Sequence, residues 1–167
     1  MASTLVAESH TWHTPVIGAY LLWRFTKAYQ KSHTDKMPPI VLNHFLALAI
    51  LTDSNLHPHL FRCTGIPQLA RRFRTGTASA AYYRLHDRVR ERLPYTVKAI
   101  NIAVAGGFLK WDVDRGTLTA KAITSKDGSI DYATGEIATL GARAEVLGKF
   151  FAKHPLSKTA EALGVVF

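Results

Sequence analysis

Behind the double proline Pro38-Pro39 stands a run, Ile40 to Leu51, that would be apolar nearly all round as a helix. A helix without a polar stripe has no face to give to water, so the rest of the chain must fold around it. The two prolines force an extended approach to it, because residues preceding a proline are held away from the helical region. Asn43 and His44 are the odd residues in the run. Buried polar side chains need partners, and these two are expected to fasten a neighbouring loop rather than to carry catalysis. The longest apolar candidate, Pro38 to Leu51, falls short of the roughly 18 residues of a membrane span, so it reads as a buried helix.

The other elements follow from spacing. Thr14-Pro15 has the form of a helix start, and Ala19, Leu22, Trp23, Thr26 and Gln30 carry a stripe to about Lys31, with Trp23 as anchor and Arg24 and Lys27 facing outward. Asp53 to Pro58 is a turn region. Gly65-Ile66-Pro67 opens a short helix bearing Leu69, Ala70 and Phe73, stopped by Gly76. From Thr77 a basic helix places Ala78, Ala81, Tyr82, Leu85 and Val89 inward, with Arg84, Arg88 and Arg92 along one side. Asp87 and Glu91 sit among these arginines and can take up part of their charge in weak pairs. Pro94 starts the next helix, whose inward stripe is Val97, Ile100, Ala103 and Val104 and whose stop is Gly106-Gly107. Phe108 to Val113 and Thr117 to Lys121 flank an Asp-Arg-Gly turn and predict a hairpin. Ile123 to Ala138 reads as a long loop with a short extended piece at Ile130 to Tyr132. Thr139 would cap a helix through Leu140, Ala144, Leu147 and Phe151, where Gly141 and Gly148 permit close helix contact. After Pro155, a helix from Leu156 to Leu163 leads to the apolar tail Val165-Val166-Phe167, which tucks into the core or docks on a partner.

The expected fold is therefore mainly α (α+β), about six helices around Trp23, Leu46, Leu85, Ile100 and Leu147 with a small hairpin, winged-helix-like in its middle. With nearly half of its 167 residues apolar, the chain can close one good core, and a single domain over 14–167 behind a loose lead-in at 1–13 is expected. The lead-in shows no secretion signal, and the lone Cys63 fits a reducing cytoplasm.

The net charge of +9 is concentrated: between Arg62 and Lys98 there are nine Lys or Arg against two acids. Such a stretch attracts polyanions, whether nucleic acid or an acidic protein face. The candidate contacts are Arg71, Arg72, Arg74, Arg84, Arg88, Arg90 and Arg92, with Lys110, Arg115 and Lys121 on the hairpin. Their binding would be led by phosphate charge, salt-sensitive and indifferent to sequence. The competing reading is that these arginines pair internally or with an acidic protein.

Catalytic signatures are sparse. No Gly-rich phosphate loop and no GK[ST] triplet is present. His57, His59 and Cys63, with His44 as a further candidate, have the residue types of a metal site but match no familiar zinc spacing. Asp112 and Asp114 flank a turn, where Asp serves turn chemistry. The segment LSKTAEALGV has the beginning of a helix-turn-helix unit without room for its second helix. The expectation is no enzyme, no metal and no cofactor.

The order of motifs T-P-V-I-G-A-Y-L-L-W-R-F-x-x-x-Y, then M-P-P-I-V-L-N-H-F-L-A-L-A-I-L, then R-x-R-E-R-L-P-Y-T-V-K-A-I-N-I-A-V-A-G-G-F-L-K-W-D resembles the middle component of bacterial three-component ABC systems. A late L-G-x-x-x-x-V-L-G-K-F-F-A-K helix and the T-A-E-A-L-G-V ending continue the likeness from about Pro15 onward. The arginine-rich region from Phe61 to Thr77 departs from it. The resemblance implies a non-enzymatic adaptor between a Rad50-like ABC ATPase and a third, variable operon-encoded component, serving defence against phage or plasmids and acting beside DNA. It supplies no catalytic residues. From another class, a free-standing winged-helix DNA-binding regulator would also account for a basic helical chain.

Overall fold

The computed structural model of the chain describes residues 14–123 and 133–167. The lead-in expected over 1–13 and the extended piece expected at 130–132 lie outside the described residues. Helix α1 (Pro15–Ser32) opens with Pro15 in its first turn, where the missing N–H costs nothing. Extended backbone through Pro38-Pro39 leads into α2 (Val41–Leu51), in which every residue from Leu46 to Leu51 is buried. A 3-10 turn over His57–Arg62 and helix α3 (Ile66–Phe73) follow. Next come a 3-10 turn at Gly76–Ala78 and helices α4 (Ser79–Tyr83), α5 (Leu85–Glu91) and α6 (Leu93–Ala105). The hairpin pairs β1 (Leu109–Asp112) with β2 (Thr117–Ala120), and α7 (Gly135–Phe151) and α8 (Leu156–Ala162) complete the chain. The architecture is mainly α with a small hairpin, and all five residues expected at its centre, Trp23, Leu46, Leu85, Ile100 and Leu147, are buried in one connected core.

Three expectations need correction. The basic helix from Thr77 is broken at Arg84 and again at Arg92, where ψ opens to about zero. Pro94 explains the second break, since it has no N–H for the Arg90 carbonyl; the first has no such local cause. Arg84 and Arg92 consequently cap the short α5 rather than lie within one continuous helix, and Arg84 is exposed while Arg88 and Arg92 are half-buried. Helix α7 begins at Gly135 behind Thr134, so residues 135–138, expected in a loop, are helical and Thr139 lies inside the helix, its hydroxyl donating to the Gly135 carbonyl at 3.2 Å. Arg24 does not face outward: it is largely enclosed and ion-paired to Glu145 of α7 at 2.9 Å. Lys27 is exposed, with its ammonium 5.0 Å from the centre of the Trp23 ring.

Helix α1 is the hub because small residues let its neighbours come close. A Cβ at Gly18 would stand 2.9 Å from the Ala99 methyl of α6, and one at Gly141 would stand 2.6 Å from the Tyr20 hydroxyl. Gly148 lies directly against the α1 backbone at Phe25 and Tyr29. The hairpin is stitched to the same helix. Trp23 donates its indole N–H to the Lys121 carbonyl at 3.1 Å, and Gln30 accepts the Ala120 N–H at 2.8 Å. The β2 edge is also covered by the extended segment before α2: Leu118 donates to Pro39, and Val41 donates to Gly116. At the turn, Asp112 accepts the Arg115 N–H, which is the turn chemistry expected of it.

His44 fastens a helix rather than a loop. Its Nε2 lies 2.8 Å from the Thr26 hydroxyl of α1, its Nδ1 3.2 Å from the Ile40 carbonyl, and the Thr26 hydroxyl is 2.7 Å from the Leu22 carbonyl. Three contacts would need three protons, and a neutral imidazole with one hydroxyl supplies two. The hydrogen bonds therefore favour the cation, but complete burial outweighs them and lowers His44 to about 4. Above pH 6.5 folded and unfolded forms both carry a neutral ring. Below it the unfolded chain takes up the proton and the folded one does not, so stability falls until about pH 4. The expected loss attributable to His44 is about 3 kcal/mol. Urea unfolding at pH 7 and pH 4 should show that difference between the native chain and His44→Gln; parallel pH dependence of the two would refute it.

Candidate nucleic-acid interface

The arginines expected to share one surface fall into three situations. Arg71, Arg72 and Arg74 stand on α3, which turns Ile66, Leu69, Ala70 and Phe73 into the core and leaves its basic residues on the other side. Arg71, Arg74, Arg84 and Arg90 are exposed, and Arg72 is half-buried. Arg74 bridges elements: its Nε donates to the Tyr82 hydroxyl at 3.2 Å and its guanidinium lies 5.6 Å over the Tyr82 ring, joining α3 to α4. A long contact of 3.4 Å to the Ala162 carbonyl adds the end of α8. Arg84 makes only a loose exposed pair with Glu91 at 3.7 Å, of the kind worth a few tenths of a kcal/mol. Arg92 is half-buried, its guanidinium 5.5 Å over the Tyr95 ring.

Arg88 is half-buried and turned inward. Its Nε lies 3.0 Å from a carboxylate oxygen of Asp53, whose side chain is 2% exposed. Asp53 directly follows the last turn of α2, where the helix dipole disfavours a carboxylate, and it also accepts the Asn55 N–H at 2.8 Å. A cation is needed there, and Arg88 supplies it from α5. The same corner holds His57, whose Nδ1 accepts a hydrogen bond from Arg143 of α7 at 2.8 Å. Burial first, and then the Arg143 charge, lower His57 to about 4, with Asp53 opposing them. Phe61 covers the Arg143 guanidinium at 5.3 Å.

Lys110, Arg115 and Lys121 sit apart from this region. The ribbon packs chiefly on α1 and α6, and Arg115 is within 3.8 Å of Asp112 in an exposed local pair. The α3 arginines meet the following helices through the Arg74–Tyr82 contact, while the hairpin cations lie with a different set of elements.

The histidines singled out with Cys63 are each engaged otherwise. His44 is locked to Thr26, His57 to Arg143, and the His59 ring stands edge-on to Phe73 with centroids 6.2 Å apart. Burial pushes the Cys63 thiol up, the opposite of what a nucleophile requires, although Arg72 pulls the other way. Among the described residues no group of three or more His, Cys, Asp or Glu side chains is placed to hold a metal ion. Arg62 and Arg143 were not singled out by sequence reasoning. The signal for Arg62 is that no Asp or Glu occurs between Asp53 and Asp87.

No helix among the described residues is long and apolar enough to cross a membrane. The sequence model of a family described as ABC-three component (ABC-3C) system Middle Component 3 matches residues 2–167. No curated protein and no solved structure matches the chain.

Proposed function

The chain belongs to the ABC-3C Middle Component 3 family over residues 2–167, and from that premise we propose that it is a non-enzymatic adaptor, joining a Rad50-like ABC ATPase to a third operon-encoded protein in a cytoplasmic system for prokaryotic defence against phage or plasmids. The observation that carries this reading is the length of the family match, which takes in every element described above. In the same proposal the adaptor touches DNA through the arginines at the C-terminal end of α3, Arg84 between α4 and α5, and Arg90 of α5, without choosing a sequence. What supports that contact is the charge left over once internal pairs are made. Arg88 is used up by Asp53, whereas Arg71 and Arg90 remain exposed among few acids. Exposed guanidinium groups spread over several elements suit contacts to backbone phosphates.

The test is co-expression with the proteins encoded alongside, followed by purification and DNA binding across a salt series, for the chain alone and in complex. Stable association with the ATPase, and binding that weakens steeply and equally for unrelated duplexes as salt rises, is the expected result. Tight binding to one short site by the chain without partners would favour the free-standing winged-helix regulator instead. Turnover of a small molecule by the purified chain would defeat the adaptor reading.

A further inference from the structure

Between Asp53 and Asp87 the chain carries five arginines and no acid. Asp53 is buried and committed to Arg88 and to the Asn55 backbone, so it neutralises none of the others. Among the described residues, Arg62, at the end of the 3-10 turn, and Arg72, in the last turn of α3, make no ion pair, although Arg72 is half-buried. His59, three residues before Arg62 on the same 3-10 turn, has its ring edge-on against the fully buried Phe73, the chain neighbour of Arg72. Its Nδ1 is shielded from solvent and has no hydrogen-bond partner. Burial first, then Arg72 and Arg62, hold this imidazole below its ordinary value. Two like charges and a shielded, unpartnered ring nitrogen in one corner form an arrangement that an anion would relieve.

We infer that His59, Arg62 and Arg72 form a notch that seats one or two phosphates of a nucleic-acid backbone, with Arg71 and Arg74 continuing the track along α3. This rests on the proposed DNA contact and assigns its centre to the 3-10 turn and α3. A guanidinium fork matches the oxygens of a phosphodiester. The exposed aromatics Phe61 and Tyr83 stand at the two ends of this stretch, Phe61 against Arg143, and no large hydrophobic side chain from Arg62 to Tyr82 is exposed, so a polyanion seated between them is met by charge rather than by an apolar anchor. An anion set beside His59 also replaces repulsion by attraction, so the ring should become more basic in the complex.

Two measurements on the full-length chain, alone and with its co-purifying components, test the notch. In the first, fluorescence anisotropy with a short labelled duplex compares the native chain with Arg62→Gln/Arg72→Gln over a salt series. The double variant is expected to bind about tenfold more weakly and to lose about two from the slope of log affinity against log salt. In the second, NMR titration of the His59 ring should show its pKa rising when duplex is added. Thermal melts check that the variant is folded. If the variant binds with native affinity and slope while the native chain binds well, the notch is wrong and the DNA contact stands elsewhere. If the native chain binds no duplex even at low salt, both are wrong. Preferential binding of polyglutamate with the same dependence on Arg62 and Arg72 would overturn the phosphate assignment in favour of an acidic protein.

Discussion

Gly148→Ala is expected to cost about 4 kcal/mol, a large part of the roughly 5–15 kcal/mol by which a domain is stable. Alanine is normally the better helix former by about 1 kcal/mol, so on propensity alone the substitution would stabilise α7. The opposite sign follows from what the new methyl would meet. Gly148 faces the Phe25 carbonyl oxygen, the Tyr29 nitrogen and the Ala28 methyl of α1. Two of these are backbone atoms of a helix whose Leu21, Leu22 and Phe25 are fixed in the core, so they have nowhere to move. The helices would have to separate, and their interface is the most extensive among the described residues. Gly141→Ala supplies the control. There the added methyl meets the far end of the Tyr20 side chain, which can swing aside at the loss of the hydrogen bond it accepts from Arg24. A cost of about 1 kcal/mol is expected, by the measure of one hydrogen bond. Urea midpoints of the two variants would decide. Equal midpoints, or a stabilised Gly148→Ala, would show that the α1–α7 contact is looser than described.

That contact illustrates which features of this chain can be read from residue order. Gly141 and Gly148 sit seven apart in an otherwise apolar stripe, so close helix approach was legible from spacing. The burial of Trp23, Leu46, Leu85, Ile100 and Leu147 was legible for the same reason, since a periodic stripe survives whatever it packs against. The 3-10 turn at His57–Arg62 was not, because so short an element has no period to detect. Thr139 misled because capping preference is local, whereas α7 extends a further turn to Gly135. The excess of positive charge could be counted directly. Which cations stay unpaired could not, since the partners are distant in sequence: Arg24 finds Glu145, and Arg88 finds Asp53.

The distinction between Arg84 and Arg88 yields the second large effect. Arg88→Glu is expected to destabilise the fold by about 4 kcal/mol, and Arg84→Glu by a few tenths. In the first, a carboxylate would replace the cation 3.0 Å from Asp53, leaving two acids in a corner where Asp53 is 2% exposed. In the second, a side chain 66% exposed loses a 3.7 Å pair with Glu91, and water takes its place. Reversing both charges together would therefore mix a large loss of stability with any loss of DNA binding and say little about the surface. Arg84→Glu with Arg90→Glu is the informative pair. The cause can be separated from a general intolerance at position 88 by removing both partners. Asp53→Asn with Arg88→Met leaves no unpaired buried charge and should recover most of the loss, as buried ion pairs replaced as a unit do. Denaturation of the single and double variants measures the coupling. If Arg88→Glu alone were as stable as the native chain, the Asp53 pair would be incidental and Arg88 would return to the outer surface with its neighbours.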